Sequence, residues 1–333
     1  MAGAREVFIN VFLLSALPFV TLQAAYLTTA ARRTFSGLTQ HSRSAKVSCQ
    51  NLDRRREARV GRHRRASAIE VPHHPEFCMD QATVALVTGA AQGIGRSIAS
   101  VLAARGWVVA AADRDERVAG TAEDIESAGG EAYALTFDVA DADAASAAYA
   151  EIAANVGPVG LVVANAAVVD RIAHSDKLSP EQWRHELDVN LSGAFFSIQP
   201  ALPGMKGRRS GRIVVISSYT ATEGLRGQVA YTASKAGLLG MVRTLTLELA
   251  PFGITVNAVL PGMVETKKVG AMPAEVRERA LAKIPLGRFA SCEEVAEVVA
   301  FLASPSAAYL TGGWIPVDGG MQLTDLTLGR KDI

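Results

Sequence analysis

Between residues 79 and 333 the chain alternates short, fully apolar runs with segments of helical periodicity. The apolar runs are Val84–Val87, Trp107–Ala112, Ala132–Phe137, Val159–Ala164, Gly211–Ile216, Ile254–Leu260 and Gly313–Val317. Strands that are apolar on both faces belong to a parallel sheet covered by helices on each side. Right-handed crossovers make such a sheet doubly wound. The sequence therefore predicts an α/β fold in which one parallel sheet is flanked by helices on both faces.

Residues 1–78 form a different kind of sequence. They hold 12 Lys and Arg against 5 Asp and Glu, a net charge of +7, whereas the whole chain carries only +1. The stretch 7–26 is mostly apolar, and the arginine-rich part after it has no apolar period that could bury a core. Four interpretations stay open: an upstream-extended gene whose true start is Met79, a disordered tail, an organelle transit peptide, or a membrane or export signal. We expect one folded domain, 79–333, behind a basic leader.

Charge and cysteine content exclude several classes of protein. A net charge of +1 for the whole chain argues for neither a nucleic-acid binder nor an acidic tail. We expect the folded domain to bind neither nucleic acid nor a membrane. Three cysteines, an odd number, exclude a disulfide framework and indicate a reducing compartment. His174 and His185 have no cysteine nearby, so no metal site is predicted. We expect a cytoplasmic protein, and organelle targeting by the leader stays open.

A glycine-rich turn follows the first apolar run and opens the first helical segment. Its residues are Gly89-Ala-Ala-Gln92-Gly93-Ile94-Gly95. Glycines allow a tight turn, and the helix N-terminus behind them favours a pyrophosphate. This pattern predicts a dinucleotide site in a Rossmann-type domain. The alternative is a glycine turn without a ligand.

Asp113 ends the second apolar run, 18 residues after Gly95. A carboxylate there accepts hydrogen bonds from ribose hydroxyls and repels a 2′-phosphate, so NAD is predicted over NADP. Arg114 beside it would offset part of that repulsion, which keeps NADP open as a cofactor. The other role for Asp113 is that of a helix N-cap.

Tyr231 and Lys235 lie four residues apart at the start of a long helical segment. Residues at this spacing share one helix face, which by itself is a common surface arrangement. Ser218 precedes Tyr231 by 13 residues and follows an apolar run. Because the carboxyl ends of parallel strands share one edge, all three side chains are expected to meet there.

The order of these motifs resembles the short-chain dehydrogenase/reductase family, in particular the branch of the 3-oxoacyl-carrier-protein reductases. The resemblance covers essentially all of 79–333. Its motifs are Thr88-Gly89-x3-Gly93-x-Gly95, Asp138-Val139, Asn190 in Asp-Val-Asn-Leu, Ser218, Tyr231-x3-Lys235, Pro261-Gly-Met-Val264-Glu-Thr266, Leu310-Thr-Gly-Gly and Val317-Asp-Gly-Gly. The family's Asn-Asn-Ala-Gly reads Ala164-Asn165-Ala166-Ala167 here, which puts any role of Ala164 and Ala167 in doubt.

The resemblance implies a catalytic role for four residues. Tyr231 would be the general acid/base, with its pKa lowered by Lys235 together with the positive nicotinamide ring of the oxidised cofactor, and Lys235 would also bind the nicotinamide ribose. Ser218 would hold the substrate oxygen, and Asn190 would position a water that links Lys235 to solvent. The residues expected to contact the cofactor are Gly89, Gln92, Gly93, Ile94, Gly95, Asp113, Arg114, Asp138, Val139, Asn165, Ala166, Tyr231, Lys235, Pro261, Gly262, Val264 and Thr266.

The predicted function is reversible hydride transfer between NAD and a small secondary alcohol or ketone. An NADPH-dependent 3-oxoacyl thioester reductase is the enzymatic alternative, and a non-catalytic dinucleotide-binding protein is the second. The segment 265–288, which begins near Lys267-Lys268, is the expected substrate lid. Family analogy implies a homotetramer. The sequence does not choose among alcohols or ketones.

Overall fold

The computed structural model describes residues 84–323. The predicted leader, 1–78, lies outside these residues, and so does the chain beyond 323. Within the described part, no helix is long and apolar enough to cross a membrane.

Seven parallel strands form one sheet, which confirms the predicted fold class. They are β1 (Val84–Thr88), β2 (Val108–Asp113), β3 (Glu131–Thr136), β4 (Val159–Ala164), β5 (Gly211–Ile216), β6 (Ile254–Pro261) and β7 (Trp314–Val317). Their order in the sheet is β3-β2-β1-β4-β5-β6-β7. Each predicted strand is present, with its ends shifted by no more than one residue.

Helices cover both faces of the sheet. They are α1 (Gly93–Ala104), α2 (Val118–Ser127), α3 (Ala142–Asn155), α4 (Pro180–Leu187), α5 (Gly193–Ile198), α6 (Leu202–Arg208), α7 (Thr220–Glu223), α8 (Val229–Leu249), α9 (Lys267–Gly270), α10 (Ala274–Leu281) and α11 (Cys292–Ala303). One π-helical turn, Asp188–Ser192, joins α4 to α5.

The central strands are apolar on both sides because each side supports a separate core. In β1, Ala85 and Val87 pack into the core that contains α1 and α11. Their neighbours Val84 and Leu86 pack into the opposite core, with α3 and α8. Burial of a side chain such as Leu86 stabilises the fold by about 1.5–3 kcal/mol. Because both faces of these strands are apolar, each face of the sheet must be covered by its own layer of helices.

The strand order changes direction between β1 and β4. The chain runs outward from β1 to β2 and β3, then crosses back to place β4 on the other side of β1. The loops that leave β1 and β4 consequently separate, and a crevice opens between them at the carboxyl edge. This edge is where the sequence placed the ligand-binding residues.

The segment predicted as a lid contains the two short helices α9 and α10. Arg277 of α10 makes two hydrogen bonds of 3.0 Å with the Glu265 carboxylate, just before α9. Its guanidinium also stacks 5.0 Å from the ring centre of Phe289. Arg277 also donates to the Val269 carbonyl of α9 at 3.1 Å, so one arginine links α10 to α9 and to the loop before it.

Candidate active site

The glycine turn between β1 and α1 needs its glycines for two separate reasons. Gly89 and Gly93 have φ of +69° and +57°, a region that side chains rarely adopt. At Gly95 a Cβ would overlap the carbonyl oxygen of Gly89, so only glycine lets α1 begin directly against the turn. Around Gly93, by contrast, the space is open, and the nearest atom to an added Cβ is a Thr266 methyl at 3.7 Å.

That open space lies at a helix N-terminus whose first amides lack a side-chain cap. Gln92 is the N-cap residue of α1, and its side chain caps nothing. The first turn, from Gly93 through Ile94 to Gly95, carries no acidic residue. Uncapped N–H groups and the positive end of the helix dipole together attract an anion. The turn therefore fits the diphosphate of a dinucleotide.

Asp113 is the last residue of β2, and its side chain stabilises the glycine turn through a hydrogen bond. Its carboxylate accepts the Ala91 N–H at 3.0 Å and the Asp115 N–H at 3.1 Å. The alternative role, a helix N-cap, is wrong, because α2 begins at Val118 and its N-cap residue is Arg117. Asp113 stays half-buried, and Arg114 beside it is exposed. A carboxylate thus lies one strand away from the glycine turn.

Thr88 and Asn165 join the two sides of the crevice. The Thr88 hydroxyl accepts the N–H groups of Asn165 and Ala166, each at 3.1 Å. The Asn165 side chain donates to the carbonyl oxygens of Thr88 at 2.8 Å and Gly89 at 3.3 Å. Residues after β4 are therefore fixed directly against the glycine turn. Ala164, which departs from the family pattern, is buried at the end of β4.

Asp138 and Val139 follow β3 at the same edge. The Asp138 carboxylate accepts the N–H of Ala140 at 2.9 Å and so stabilises its own turn. Val139 is buried, and its side chain lies so close to Gly193 that a Cβ there would be 2.7 Å from it.

The residues after β6 lie at the same sheet edge, on the side next to β7. The N–H of Gly262 donates to the Val317 carbonyl at 3.0 Å, and the carbonyl of Pro261 accepts the Tyr219 N–H at 3.1 Å. Val264 is buried and forms a bridge to residue 290. Thr266 caps α9 and, as noted above, its methyl lies near Gly93. The start of the lid therefore adjoins the glycine turn.

Ser218, Tyr231 and Lys235 come together beside this edge, as predicted. Lys235 is buried on α8, and its ammonium donates to the carbonyl oxygen of Ile216 at 2.8 Å. The ammonium nitrogen lies 5.7 Å from the centre of the Tyr231 ring. Ser217 also donates to the Lys235 carbonyl at 2.8 Å, so α8 is attached firmly to the end of β5.

Burial shifts the pKa values of Tyr231 and Lys235 in opposite directions. Burial raises the pKa of Tyr231 to about 12, and the hydrogen bond with Ser218 opposes this rise only in part. Burial also lowers the pKa of Lys235 to about 7. The expected lowering of the Tyr231 pKa by Lys235 together with the oxidised nicotinamide ring concerns the complex with the cofactor, and it stays a prediction.

Asn190 lies in the π-helical turn and is buried. Its side-chain oxygen accepts the Val168 N–H at 2.7 Å, and its amide donates to the Val168 carbonyl at 2.9 Å and to the Ser234 hydroxyl at 3.2 Å. The side chain thus connects the loop after β4 to helix α8. These bonds engage both polar ends of the amide, and the predicted water relay stays a prediction.

Three further residues near the site were not among the predicted ones. They are Thr88, Glu186 and Lys268. Thr88 was visible in the sequence as the polar end of an apolar run. Glu186 lies four residues before Asn190 in sequence, but its burial depends on how α4 packs and leaves no mark in the sequence. Within residues 84–323 no group of three or more His, Cys, Asp or Glu could hold a metal ion.

Comparison with known proteins identifies the family of this chain. Residues 89–322 match the family model described as enoyl-(acyl carrier protein) reductase. The chain is 41% identical over 242 residues to the 3-oxoacyl-[acyl-carrier-protein] reductase FabG of Staphylococcus aureus, covering 72% of this chain and 98% of that protein. It is 43% identical over 240 residues to the acetoacetyl-CoA reductase of Rhizobium meliloti, covering 71% and 97%.

A solved structure agrees with these relatives. The crystal structure of gox2181 superposes with a TM-score of 0.71 at 34% identity, covering 73% of this chain and 97% of that one. The chain therefore belongs to the short-chain dehydrogenase/reductase family, in its 3-oxoacyl-carrier-protein reductase-like branch, and is an NAD(P)-dependent oxidoreductase of alcohol and ketone groups.

Proposed function

We propose that the protein transfers hydride reversibly between NAD and a small secondary alcohol or ketone, with NAD preferred over NADP. The observation that carries this proposal is the arrangement of Ser218, Tyr231 and Lys235 around the end of β5. These groups lie at the same sheet edge as the glycine turn. A nicotinamide dinucleotide supplies or accepts the hydride when it is bound.

Tyr231 moves the proton in this proposal. With a pKa of about 12 its hydroxyl is protonated at neutral pH, so it can give a proton to a ketone oxygen directly. In alcohol oxidation Tyr231 must start as the phenolate and accept the proton of the alcohol, which requires added positive charge nearby to lower its pKa. Ser218 shares a hydrogen bond with the same hydroxyl and is placed to hold the substrate oxygen beside it.

Lys235 and Asn190 support this proton transfer. The Lys235 ammonium has a fixed acceptor in the Ile216 carbonyl and lies near the Tyr231 ring, which suits it to bind a ribose hydroxyl as well. Asn190 holds the loop after β4 in place through Val168. We retain the water relay at Asn190 as part of the proposal.

The preference for NAD rests on the charges at the ends of β1 and β2. Asp113 places a carboxylate where the ribose of the adenosine half would bind, and a 2′-phosphate would be repelled there. The glycine turn, 89–95, contains no Lys or Arg that would bind such a phosphate. The exposed side chain of Arg114 works against this preference, because its positive charge would attract a 2′-phosphate. The remaining cofactor contacts that we propose are those of the glycine turn, of Asp138, Val139, Asn165 and Ala166, and of the 261–266 segment.

An NADPH-dependent 3-oxoacyl thioester reductase is the second candidate. The relatives named 3-oxoacyl-[acyl-carrier-protein] reductase and acetoacetyl-CoA reductase favour it. The deciding experiment measures cofactor absorbance with a panel of alcohols plus NAD, ketones plus NADH, and an acetoacetyl thioester with NADH or NADPH. Faster turnover of the thioester with NADPH than of any ketone with NADH would favour the second candidate and reject the first.

We also propose a homotetramer, as the family resemblance implies. Large apolar side chains are exposed on the described part of the chain, among them Leu247 of α8, Phe301 of α11 and Trp314 of the edge strand β7. Exposed apolar surface of this kind is typical of subunit contacts. Light scattering coupled to size-exclusion chromatography tests this, and a monomeric mass would contradict it.

We propose that the catalytic domain begins near Met79 and acts in the cytoplasm. The curated relatives align over 97–98% of their own length with only 71–72% of this chain. The aligned part is therefore equivalent to a whole relative. Sequencing the N-terminus of the protein from its natural source would show whether residues 1–78 are present in the mature chain.

A further inference from the structure

Ser218 holds the substrate oxygen in the proposed function, and its hydroxyl is engaged by a residue to which that proposal gives no role. The hydroxyl oxygen accepts the backbone N–H of Thr220 at 3.2 Å and the side-chain hydroxyl of Thr220 at 3.0 Å. Both side chains are buried, Ser218 at 6% exposure and Thr220 at 2%. Thr220 is the first residue of α7, so this short helix begins directly against the candidate catalytic serine.

The two bonds from Thr220 decide which hydrogen-bonding function of Ser218 stays available. A serine hydroxyl has one O–H donor and two lone pairs that accept. Because Thr220 donates to both lone pairs, Ser218 keeps only its O–H for the reaction. The hydroxyl also shares a hydrogen bond with Tyr231, and that bond lowers the pKa of Tyr231, as expected when Ser218 is the donor. Ser218 is thus held as a donor on the side where the proton is transferred.

The backbone at Ser218 is fixed by bonds that do not involve its side chain. The N–H groups of Ser217 and Tyr219 donate to carbonyl oxygens of β6, at 2.8 and 3.1 Å. These bonds place the Ser218 Cα at the strand end, but they leave the torsion of the hydroxyl open. The orientation of that hydroxyl is therefore set by the two bonds from Thr220.

A threonine suits this task because its side chain is stiff. Branching at Cβ leaves few rotamers, so the Thr220 hydroxyl is held in one place more firmly than a serine hydroxyl would be. A buried hydroxyl also needs a partner, and Ser218 is the acceptor that Thr220 uses. Hydrogen bonds in a chain polarise one another, so a Ser218 hydroxyl that accepts from Thr220 is a stronger donor to the next group.

We propose that Thr220 is a positioning residue for the reaction, which keeps the Ser218 O–H directed toward the substrate oxygen by donating to the Ser218 oxygen. This inference rests on the proposed function, since it concerns how the same site holds the reacting oxygen. In ketone reduction that oxygen gains negative charge as the hydride arrives, and a donor that is already oriented stabilises this charge without reorganising. Thr220 therefore acts mainly on the transition state.

Thr220→Val replaces the hydroxyl by a methyl group and keeps the branched shape. The backbone N–H of residue 220 remains, so Ser218 loses one of its two orienting bonds. With the substrate that the wild type turns over fastest in the panel described above, kcat should fall about 3–10-fold while KM changes by less than about twofold. Thr220→Ser keeps a hydroxyl and should have a kcat within about twofold of the wild type.

Ser218→Ala supplies the background in which the two roles of Thr220 separate. A residue that acts through the Ser218 hydroxyl has no effect once that hydroxyl is gone. Thr220→Val added to Ser218→Ala should therefore leave kcat within about twofold of the Ser218→Ala value. A purely structural role of Thr220 would lower kcat by the same factor in both backgrounds.

Thr222→Val is the matched control. Thr222 lies on the same short helix, and its hydroxyl donates to the Tyr219 carbonyl at 3.1 Å. The same change of side chain there should keep the wild-type kcat. A loss equal to that of Thr220→Val would overturn the specific role of Thr220.

An unchanged kcat in Thr220→Val would overturn this inference, and so would an equal loss in the wild-type and Ser218→Ala backgrounds. Thr220→Ala removes the same hydroxyl and carries both comparisons if Thr220→Val does not fold. In these outcomes the wild-type enzyme still turns over its substrate, and the proposed function stands. A wild-type protein without turnover on any alcohol, ketone or acetoacetyl thioester would instead overturn the proposed function.

Discussion

Lys235 is a cation inside the fold, with the Ile216 carbonyl as its hydrogen-bond acceptor. Burial lowers its pKa from 10.5 to about 7, so the folded protein binds this proton less tightly than the unfolded chain does. Between pH 7 and 10.5 the unfolded state holds the proton and the folded state does not. Stability attributable to Lys235 consequently rises with pH across this window.

Lys235→Met tests this at the residue level. Methionine fills a similar volume without a titrating group, so the wild type should gain stability relative to the variant as pH rises from 7 to 10. The expected slope is at most about 1.4 kcal/mol per pH unit. Urea unfolding at several pH values measures it, and parallel stability curves for the two proteins would contradict the assigned burial of the ammonium.

Asp113→Asn tests the proposed preference for NAD. Asparagine keeps one oxygen that can accept the Ala91 N–H, but it loses the charge that repels a 2′-phosphate. The ratio of kcat/KM for NADH over NADPH should therefore fall by about tenfold or more, an energy of about 1.4 kcal/mol. Glu116→Gln, an exposed change on the same loop, serves as the control. An unchanged ratio in Asp113→Asn would argue that Asp113 only braces the glycine turn.

At the level of elements, the start of α1 depends on the absence of a side chain at residue 95. Gly95→Ala would push a Cβ into the carbonyl of Gly89, and the turn would have to move. We expect a loss of about 1–3 kcal/mol in unfolding free energy together with weaker cofactor binding. Gly120→Ala in α2, where an added Cβ meets nothing within 4 Å, should be neutral or slightly stabilising. Thermal unfolding with and without NADH compares the two.

The Thr88 hydroxyl accepts two of the hydrogen bonds that join the ends of β1 and β4. Thr88→Val preserves the shape of the side chain but leaves the N–H groups of Asn165 and Ala166 without their acceptor. The expected destabilisation is about 1–3 kcal/mol. Thr136→Val, at an exposed strand end, should change stability by less than about 0.5 kcal/mol. Equal effects of the two substitutions in chemical denaturation would show that the hydroxyl does not hold the junction.

The strands show why the fold could be predicted from the sequence. Each strand is a run of apolar residues that ends at a polar one, and a strand buried on both faces has few other ways to be built. The strand ends alone therefore predict that Asp113, Asn165 and Ser218 lie at one edge of the sheet. The π-helical turn at 188–192 was not predicted, because its residues fit an ordinary helix and only packing against α8 and the 168–170 loop distinguishes it.

At the scale of the whole molecule, the properties that could not be predicted from the sequence are electrostatic. The side chains of Tyr231 and Lys235 were correctly expected to meet. Burial, which raises the pKa of Tyr231 and lowers that of Lys235, depends on the surrounding fold and leaves no mark in the sequence. The same holds for Glu186, whose burial leaves no trace in the local sequence. Proton affinities in this protein are properties of the packed domain rather than of the motif.

The central claim is that the Tyr231 hydroxyl exchanges the proton while the rest of the site holds the dinucleotide. Tyr231→Phe removes only this hydroxyl, so it tests the claim most directly, by steady-state turnover together with calorimetric binding of NADH. We predict that turnover falls by about 10²–10⁴-fold while the affinity for NADH changes by less than a few-fold. Turnover close to that of the wild type would contradict the account.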